Sequence, residues 1–399
     1  MNDILRAGMR EASRLTRAGR LAAATALLQR VLQGGRDQEP ANDRGAPPTI
    51  DLVPDTVEVT ADERGRPESA VRAQMPDALY RFIDRTRRTG FEPGPGGLAE
   101  PSAPDASVPE RGQFLTKSYS NQSGSRNYKL YVPSQYRGQP LPVVVMLHGC
   151  TQSPDDFAAG TRMNLRAEEC NCFVAYPEQA ASANVSKCWN WFRPGDQIRG
   201  QGEPALIAGI TRRVMGDYSV DEERIYAAGL SAGGAAAAVL AAAYPDLYAA
   251  IGVHSGLACG AASDVASAFA AMRQSGPVAR RRSGVNLGFS RIVPAIVFHG
   301  HQDTTVHPNN GDQVVAQLKE RLATDAAVTI EHGRVPHGRA YTRTIHRDAA
   351  DKSIFEHWVI QGAGHAWSGG SPAGSYTDPR GPDASREMLR FFLVHKCGS

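Results

Sequence analysis

The sequence has little that would place the protein in a membrane or on nucleic acid. None of its apolar runs approaches the ~20 residues that a membrane-spanning helix needs. The formal net charge is only +3 over 399 residues, so no strong positive field argues for a nucleic-acid partner. Residues 1–6 lack a basic start that leads into a continuous apolar core, so the sequence predicts no secretory signal. We therefore expect a cytoplasmic protein, with secretion as the alternative.

Cysteine is also scarce, with six residues in the whole chain. None of them has the C-x₂-C spacing that is typical of zinc sites, and we predict neither a metal nor another cofactor. Because the chain shows no export signal, free buried thiols are the expected state of these cysteines.

The chain divides into an N-terminal extension and a globular domain. Residues 1–33 carry apolar side chains at helical spacing on a basic background, which predicts a helical segment. Residues 34–111 are rich in glycine, proline and charge, which predicts a linker that contains a short basic amphipathic helix at 75–88. Residues 112–399 alternate between strand and helix patterns. That alternation predicts an α/β fold, a mostly parallel sheet with helices on both faces.

The predicted elements of the domain follow a simple order. An edge hairpin that turns at Ser123-Gly124 comes first. The predicted strands that follow are 143–147, 172–176, 224–228, 249–254, 294–299 and 354–360. The predicted helices are 158–170, 203–215, 232–244, 264–274, 312–323 and 385–394.

The most informative motif is a serine between a strand and a helix. Ser231 lies in Gly229-Leu230-Ser231-Ala232-Gly233, after an apolar run and before an alanine-rich stretch. A serine hydroxyl is a weak nucleophile that must be held clear of the backbone and beside a base. A sharp strand-to-helix turn with glycine on both sides does this. The motif predicts that Ser231 is a catalytic nucleophile.

An acid and a histidine follow this serine in the order that α/β-hydrolases use. Asp303 comes just after a predicted strand, at the edge where such sheets place their sites. His365 lies in a glycine-rich loop after the last predicted strand. In this prediction, His365 takes the proton of Ser231 and Asp303 orients the imidazole ring.

Two alternatives to these assignments stay open. Asp303 can be a turn residue that hydrogen-bonds its own backbone. His299, His301 and His307 lie near Asp303 and compete with His365 for the role of base. Because they precede or crowd the acid, they fit loop or supporting roles better.

Ester hydrolysis also needs two hydrogen-bond donors for the oxyanion. The backbone N–H of Ala232 is the first, because it follows the nucleophile at the positive end of a helix. The second is expected from the loop that follows an early strand, where Gly149 permits a turn that directs the N–H of Cys150 to the site. His148 in the same loop fits a structural hydrogen-bonding role better than that of a base.

Four further residues are candidates for binding the substrate. Trp367 follows His365 by two residues and is placed to line a cleft. Trp189 belongs to an aromatic stretch that fits either an exposed grip on an apolar polymer or core packing. Ser255 follows a strand beside the nucleophile, where an ordinary turn residue is equally expected. Gln152 fits either a contact within its loop or a contact with substrate.

Together the motifs resemble the poly(3-hydroxybutyrate) depolymerase family of serine esterases. The resemblance rests on five stretches, His148-Gly149-Cys150-Thr151-Gln152, Cys188-Trp189-Asn190-Trp191-Phe192, Gly229-Leu230-Ser231-Ala232-Gly233-Gly234, His254-Ser255-Gly256 and Gly364-His365-Ala366-Trp367. It covers about residues 113–396. It implies an α/β-hydrolase fold, a Ser231–Asp303–His365 triad, a Cys150 amide in the oxyanion hole and a shallow aromatic-lined cleft for a polyester strand. Because secreted relatives carry disulfides, a Cys188–Cys259 pair is an alternative to free thiols.

Three functions remain open at this stage. The first is a bacterial intracellular depolymerase that cleaves poly(3-hydroxybutyrate) or its oligomers through an acyl-Ser231 intermediate. The second is an esterase of feruloyl, acetylxylan or small acyl esters. The third is a non-catalytic protein associated with polymer granules. The basic segments 1–33 and 75–88 suggest docking on a granule surface, whereas packing on the hydrolase or self-association is the alternative.

Overall fold

The computed structural model describes residues 112–273, 291–320 and 327–397. The predicted helical segment at 1–33 and the predicted linker at 34–111, with its helix at 75–88, lie outside the described residues. Among those residues, no helix combines the length and the hydrophobicity that a membrane crossing requires.

A ten-stranded sheet runs through the described part of the chain. Its order is β1-β2-β4-β3-β5-β6-β7-β10-β9-β8. The six neighbours from β4 to β10 are parallel, and antiparallel pairs extend the sheet at both ends. The strands are β1 (Gln113–Asn121), β2 (Gly124–Val132), β3 (Leu141–Leu147), β4 (Phe173–Pro177), β5 (Val220–Leu230), β6 (Ala250–His254), β7 (Ala295–Gly300), β8 (Ala327–Arg334), β9 (Ala340–Arg347) and β10 (Ser353–Ile360). The mostly parallel sheet predicted from the sequence is confirmed.

Helices cover the sheet on both faces and divide the core into two layers. Alternate residues of β3 point to opposite layers, with Val143 and Val145 in one and Val144 and Met146 in the other. A central strand that is buried on both faces therefore appears as the continuous apolar run seen in the sequence. The helices are α1 (Pro154–Thr161), α2 (Met163–Cys170), α3 (Gly202–Asp217), α4 (Ala232–Ala243), α5 (Val265–Arg273), α6 (Asn309–Lys319) and α7 (Ala384–Phe392).

The two layers are built from different helices. One contains apolar residues of α3, α4, α5 and α6, and the other contains those of α1, α2 and α7. The run of alanines in α4 is buried along its whole length, so small side chains let this helix lie close to the strands. A short parallel pair, β11 (Trp367–Ser368) and β12 (Thr377–Asp378), lies outside the main sheet.

Two parts of the fold differ from the sequence prediction. The predicted helix 158–170 is two helices, because Arg162 between α1 and α2 has the left-handed backbone angle φ 54°. The β8–β9 hairpin was not predicted. Nearly every residue of β8 is exposed, and Val328 and Ile330 are more than half exposed. A strand without a buried face does not show the alternation of apolar and polar residues on which strand prediction depends.

A buried carboxylate fastens α7 to the end of the sheet that carries β9 and β10. Glu356 on β10 is fully buried and accepts hydrogen bonds from Arg343 on β9 at 2.8 and 3.0 Å, and from Arg390 on α7 at 2.6 Å. The indole N–H of Trp358 also donates to it at 3.0 Å. Burial raises the pKa of Glu356, but the two arginines outweigh burial and lower it overall. The carboxylate is therefore charged in the folded protein.

We expect Glu356→Ala to lower the free energy of unfolding by about 3 kcal/mol, because it removes a buried charged acceptor and leaves the buried indole N–H of Trp358 without its partner. Urea denaturation at neutral pH measures this. The matched control is Glu331→Ala, which removes a half-exposed partner of the same Arg343. That control should cost less than about 1 kcal/mol. Equal losses for the two variants would contradict the structural role given to Glu356.

Candidate active site

Ser231 lies at a tight crossing between β5 and α4. Its backbone has φ 57° and ψ −117°, a conformation that a non-glycine residue adopts only under constraint from its surroundings. The glycines of the motif make the crossing possible. A Cβ on Gly229 would lie 2.4 Å from the carbonyl carbon of Gly233, and a Cβ on Gly233 would lie 2.0 Å from the carbonyl oxygen of Leu147. The strand-to-helix turn predicted from the sequence is confirmed.

The parallel register brings the predicted site residues to one edge of the sheet. Leu230 of β5 pairs with His254 of β6, His254 pairs with Phe298 of β7, and Gly300 of β7 pairs with Ile360 of β10. The carboxyl ends of these strands are therefore level. Ser231, Asp303 and His365 each follow one of these ends in the chain, as the sequence analysis expected.

Asp303 and His365 form a hydrogen-bonded pair at this edge. The Nδ1 atom of His365 lies 2.7 Å from Oδ2 of Asp303. The other carboxylate oxygen accepts the backbone N–H groups of Thr305 and Val306, each at 2.9 Å. Asp303 therefore caps its own turn and also orients the imidazole, so the two interpretations from the sequence hold together.

The charge of Asp303 is fixed by its neighbours. Burial by itself raises the pKa of this carboxyl group, but His365 and His299 outweigh burial and hold the pKa far below its usual range. Asp303 is therefore a carboxylate under any ordinary condition. A negative charge at this position favours the imidazolium form of His365, which is the form produced when the histidine takes a proton.

Ser231 and His365 are not hydrogen-bonded to each other. Within the described residues, neither Oγ of Ser231 nor Nε2 of His365 has a hydrogen-bond partner. Nε2 is the ring nitrogen that the contact with Asp303 leaves available. In enzymes without substrate, such a contact is often long and tightens only in the reacting complex. The structure thus assembles the acid and the histidine and leaves the serine at the same edge.

The surroundings of His299, His301 and His307 do not suit the role of base. His299 is completely buried, and its Nε2 atom lies 2.8 Å from the carbonyl oxygen of Val306. His301 and His307 are exposed, and neither has a hydrogen bond to Asp303 among the described residues. Only His365 combines partial exposure with a short contact to the acid.

The predicted oxyanion donors lie on the two sides of the β5–α4 crossing. Ala232 is the first residue of α4, where backbone N–H groups have no partner within the helix. The N–H of Cys150 likewise has no hydrogen bond to a described residue. The unusual backbone angle of the Cys150 loop is at Thr151, with φ 67°, and not at Gly149 as the sequence suggested. Thr151 donates its N–H to Ser186 at 2.7 Å.

A disulfide joins Cys150 to Cys188, with Cα atoms 4.2 Å apart. This overturns the expectation of free thiols for these two residues and also the alternative Cys188–Cys259 pair, because Cys259 is a free buried thiol. The two cysteines are 38 residues apart in the chain, and their pairing depends on how two loops meet in the fold. The bridge fixes the side chain of Cys150, whose backbone N–H is one of the two predicted oxyanion donors.

His148 has the structural role predicted for it. Its Nδ1 atom lies 2.8 Å from the carbonyl oxygen of Gly149, and its Nε2 atom accepts the backbone N–H of Gln179 at 3.1 Å. Burial lowers the pKa of His148 to about 4. A neutral ring with both nitrogens occupied fixes the start of the Cys150 loop and does not act as a base.

The four candidate substrate-binding residues are buried. Trp367 therefore does not line an open cleft, and for Trp189 core packing is the one of its two considered roles that the structure shows. Trp367 stacks on His254 and donates its indole N–H to Ser385 at 3.1 Å. Trp189 donates its indole N–H to the carbonyl oxygen of His148 at 3.1 Å. These tryptophans support the loops of the site from below, because their large apolar rings gain more from burial than from exposure.

Ser255 and Gln152 are also part of the scaffold. The Ser255 hydroxyl lies 3.2 Å from Nδ1 of His254. Gln152 accepts the N–H of Gly149 at 2.9 Å and donates to Asp156 at 2.9 Å. Of the two roles considered for Gln152, the contact within its own loop is the one observed.

Tyr376 is a residue of this edge that the sequence analysis missed. It is half-buried with φ 53°, which is rare for a bulky side chain. Its hydroxyl lies 3.3 Å from that of Thr151, and its carbonyl oxygen accepts the N–H of Trp367 at 2.7 Å. Tyr376 thus connects the Cys150 loop with the segment after His365. It lies in a glycine- and serine-rich stretch without periodicity, so no pattern in the sequence indicates it.

The described residues contain no group of His, Cys, Asp or Glu arranged to hold a metal ion.

A family model described as esterase PHB depolymerase matches residues 126–334, just over half of the chain. The chain belongs to this family. The esterase is 34% identical over 248 residues to poly(3-hydroxyalkanoate) depolymerase C of Paucimonas lemoignei, a match that covers 59% of this chain and 57% of that protein. The chain thus matches less than two thirds of the length of that relative.

Two further relatives carry other names. The esterase is 29% identical over 265 residues to feruloyl esterase B of Thermothelomyces thermophilus, covering 63% of this chain and 87% of that protein. Among solved structures, an acetyl xylan esterase from Aspergillus awamori has a TM-score of 0.55 at 20% identity, covering 71% of this chain and 98% of that chain. The likeness to this structure establishes the α/β-hydrolase fold, and the relatives matched in sequence are named as carboxylic ester hydrolases.

We expect Cys188→Ser to lower kcat of the esterase about 10- to 100-fold on a soluble ester, with a smaller change in KM. Loss of one oxyanion donor costs on the order of 10²–10³ in rate, and loss of the disulfide loosens the Cys150 loop without removing its N–H. Steady-state kinetics measures both constants. The matched control is Cys170→Ser, which changes an exposed free thiol and should leave kcat unchanged. A Cys188→Ser enzyme with the kcat of the wild type would refute the role of the bridge.

Proposed function

We propose that the esterase hydrolyses poly(3-hydroxybutyrate) or its oligomers through an acyl-Ser231 intermediate. The observation that carries the mechanism is the 2.7 Å contact between His365 and Asp303 at the sheet edge where the Ser231 turn lies. The observation that supports the substrate is the family match together with the 34% identity to a poly(3-hydroxyalkanoate) depolymerase. A bacterial cell that stores such a polymer is the setting that fits this proposal.

The proposed reaction proceeds in two halves. Nε2 of His365 takes the proton of Ser231 as Oγ attacks the ester carbonyl, and Asp303 stabilises the imidazolium. The N–H groups of Ala232 and Cys150 receive the negative charge on the carbonyl oxygen. His365 then gives its proton to the leaving alcohol, which leaves an acyl-enzyme. Water, activated by the same histidine, releases the acid and restores the serine.

Thr151 and Tyr376 are the proposed substrate contacts in place of the buried tryptophans. Thr151 is exposed next to the predicted oxyanion residue, and Tyr376 is partly exposed beside it. An ester bound with its carbonyl at the N–H of Cys150 has these side chains as near neighbours. This arrangement suits a chain of small repeating ester units, because it asks for no deep pocket.

An esterase of feruloyl or acetylxylan esters is the second candidate. It is favoured by the match to feruloyl esterase B, which covers 87% of that enzyme. The chemistry is the same in both candidates, and the acyl and alcohol groups differ. A non-catalytic granule-associated protein is the third candidate, and the assembled Asp303–His365 pair argues against it.

A substrate panel with the wild type and Ser231→Ala tests the proposal. The panel contains amorphous poly(3-hydroxybutyrate), hydroxybutyrate oligomers, methyl ferulate, acetylated xylan and p-nitrophenyl butyrate. We expect release of hydroxybutyrate products to exceed release of ferulate and acetate, and Ser231→Ala to lower turnover by as much as ~10⁶. If methyl ferulate or acetylated xylan is hydrolysed in preference, that ester replaces the polyester as the proposed substrate. Full activity of Ser231→Ala would overturn the mechanism.

We also propose that the chain acts in the cytoplasm on the surface of polymer granules, to which its basic N-terminal segment binds. Residues 1–33 carry six arginines against two acidic residues, and basic amphipathic segments bind apolar surfaces that are covered with anionic lipid or protein. The Cys150–Cys188 disulfide favours the secreted alternative, because disulfides persist in oxidising compartments. Cell fractionation decides between the two locations.

Granule binding is tested in the full chain by replacing Arg6, Arg10, Arg14, Arg17, Arg20 and Arg30 with glutamine. We expect co-sedimentation with native granules to fall at least about fivefold at low salt, because roughly 1 kcal/mol per basic residue is lost at an anionic surface. Hydrolysis of p-nitrophenyl butyrate is the internal control and should not change. Unchanged co-sedimentation would rule out docking by this segment.

A further inference from the structure

Three buried histidines lie in a row on one face of the sheet, behind the candidate active site. His299 on β7, His357 on β10 and His346 on β9 occupy neighbouring strands. His357 pairs with Val297, two residues before His299, so the two histidines share a face. Each of the three has one buried ring nitrogen without a hydrogen-bond partner among the described residues. No step of the proposed reaction uses these groups.

His299 contacts the candidate catalytic acid directly. Its Nε2 atom lies 2.8 Å from the carbonyl oxygen of Val306 and 3.4 Å from Oδ2 of Asp303. Because a carbonyl oxygen only accepts hydrogen bonds, Nε2 must carry the proton. That N–H is donated to Val306, in the turn of Asp303, and it lies 3.4 Å from the carboxylate oxygen that His365 contacts. Nδ1 of His299 is left as a buried acceptor.

The unpaired nitrogens of His299 and His357 converge on one point beside α6. A Cβ on Gly311 would lie 3.0 Å from Nδ1 of His299 and 2.9 Å from Nε2 of His357. A side chain at Gly311 would crowd both rings, so this glycine lets α6 lie close to them. The other nitrogen of His357, Nδ1, lies 3.5 Å from Asp312, which is largely exposed.

Both rings present acceptors to this point. Burial, followed by the neighbouring His299 and His346, lowers the pKa of His357 to about 4, so His357 is neutral. With its proton on Nδ1 toward Asp312, its Nε2 is an acceptor like Nδ1 of His299.

We propose that His299 is a positioning residue that holds the turn of Asp303 through Val306 and so keeps the carboxylate in line with His365. The inference rests on the proposed role of Asp303 and His365 in the esterase reaction. It assigns to the buried His299 a part in the reaction without any contact to substrate.

The contribution of His299 follows from the contacts of Asp303. Oδ1 is held by two backbone N–H groups, whereas Oδ2 has only His365 and His299 near it among the described residues. Without the N–H of His299, the carbonyl of Val306 loses its partner and the turn that holds Oδ1 loosens, so the carboxylate loses alignment with Nδ1 of His365. A misplacement of about 1 Å in catalytic geometry can cost 10²-fold in rate.

The other titratable groups that face His299 are His254 on β6, His357 on β10 and Asp312 on α6. Burial lowers the pKa of His254 to about 3, so neither His254 nor His357 changes charge where the esterase is assayed.

The test compares His299→Leu and His299→Gln in the full chain, because glutamine can place an N–H near the position of Nε2 and leucine cannot. The substrate is p-nitrophenyl butyrate, which reports on the reaction whatever the natural ester is. We expect His299→Leu to lower kcat about 10- to 100-fold with KM changed less than about threefold. His299→Gln should recover most of kcat.

Two results would overturn the inference. The first is a folded His299→Leu enzyme with the kcat of the wild type. The second is a His299→Gln enzyme as slow as the leucine variant, which would indicate packing alone.

Failure of the inference is distinguishable from failure of the proposed function. Ser231→Ala is measured beside these variants. If Ser231→Ala abolishes turnover while His299→Leu leaves it unchanged, the esterase mechanism stands and the positioning role of His299 falls. If Ser231→Ala keeps full activity, the mechanism itself is wrong and the histidine variants have no bearing on it.

Discussion

The crossing of β5 and α4 sets the position of the whole active edge. Gly233 packs against the carbonyl oxygens of Leu147 and His148 so closely that even a methyl group would collide with them. One contact therefore fixes the Ser231 turn, the start of α4 and the end of β3 relative to each other. The loop that carries Cys150 begins at that end of β3. Ser231 and both predicted oxyanion donors thus take their positions from a single close approach of backbone, and the strain at Ser231 is held by the buried helix that follows.

A buried polar network fixes the loops that carry Cys150 and Cys188 at this edge. Gln179 donates its side-chain N–H to the carbonyl oxygen of Cys188 at 2.8 Å, and its backbone N–H to His148. Glu203 on α3 accepts N–H groups of Gln179 and Asn190, and Arg126 lies 3.8 Å away. Burial raises the pKa of Glu203 to about 7 despite these donors. The disulfide is therefore one of several constraints on the Cys150 loop, and each of them comes from a different part of the chain.

The sequence predicted those features that depend on local patterns. The six parallel strands and the serine turn each have a signal within about ten residues, and the order of Ser231, Asp303 and His365 follows from where strands end. The Cys150–Cys188 bridge has no such signal, because it depends on two loops meeting. The burial of Trp367 was not predicted, and that of Trp189 was only one of two roles left open, for a related reason. Aromatic residues in a polar stretch suggest exposure, but the neighbouring loops fold over these rings. Arg162 and β8 were missed because a left-handed residue and a strand without a buried face leave no periodic pattern.

The residues behind the family resemblance are mostly those that build the scaffold. His148, Trp189, His254 and Trp367 are buried, and they support the loops that carry the serine, the histidine and the oxyanion N–H groups. Any enzyme that cleaves an ester by this route needs that support, whatever the acyl group. The motifs therefore report on the reaction more strongly than on the substrate. This explains why relatives named for polyester, feruloyl and acetylxylan hydrolysis match the same chain. Selectivity must then come from side chains that reach the surface of this edge, such as Thr151 and Tyr376, and these lie in segments without a recognisable pattern.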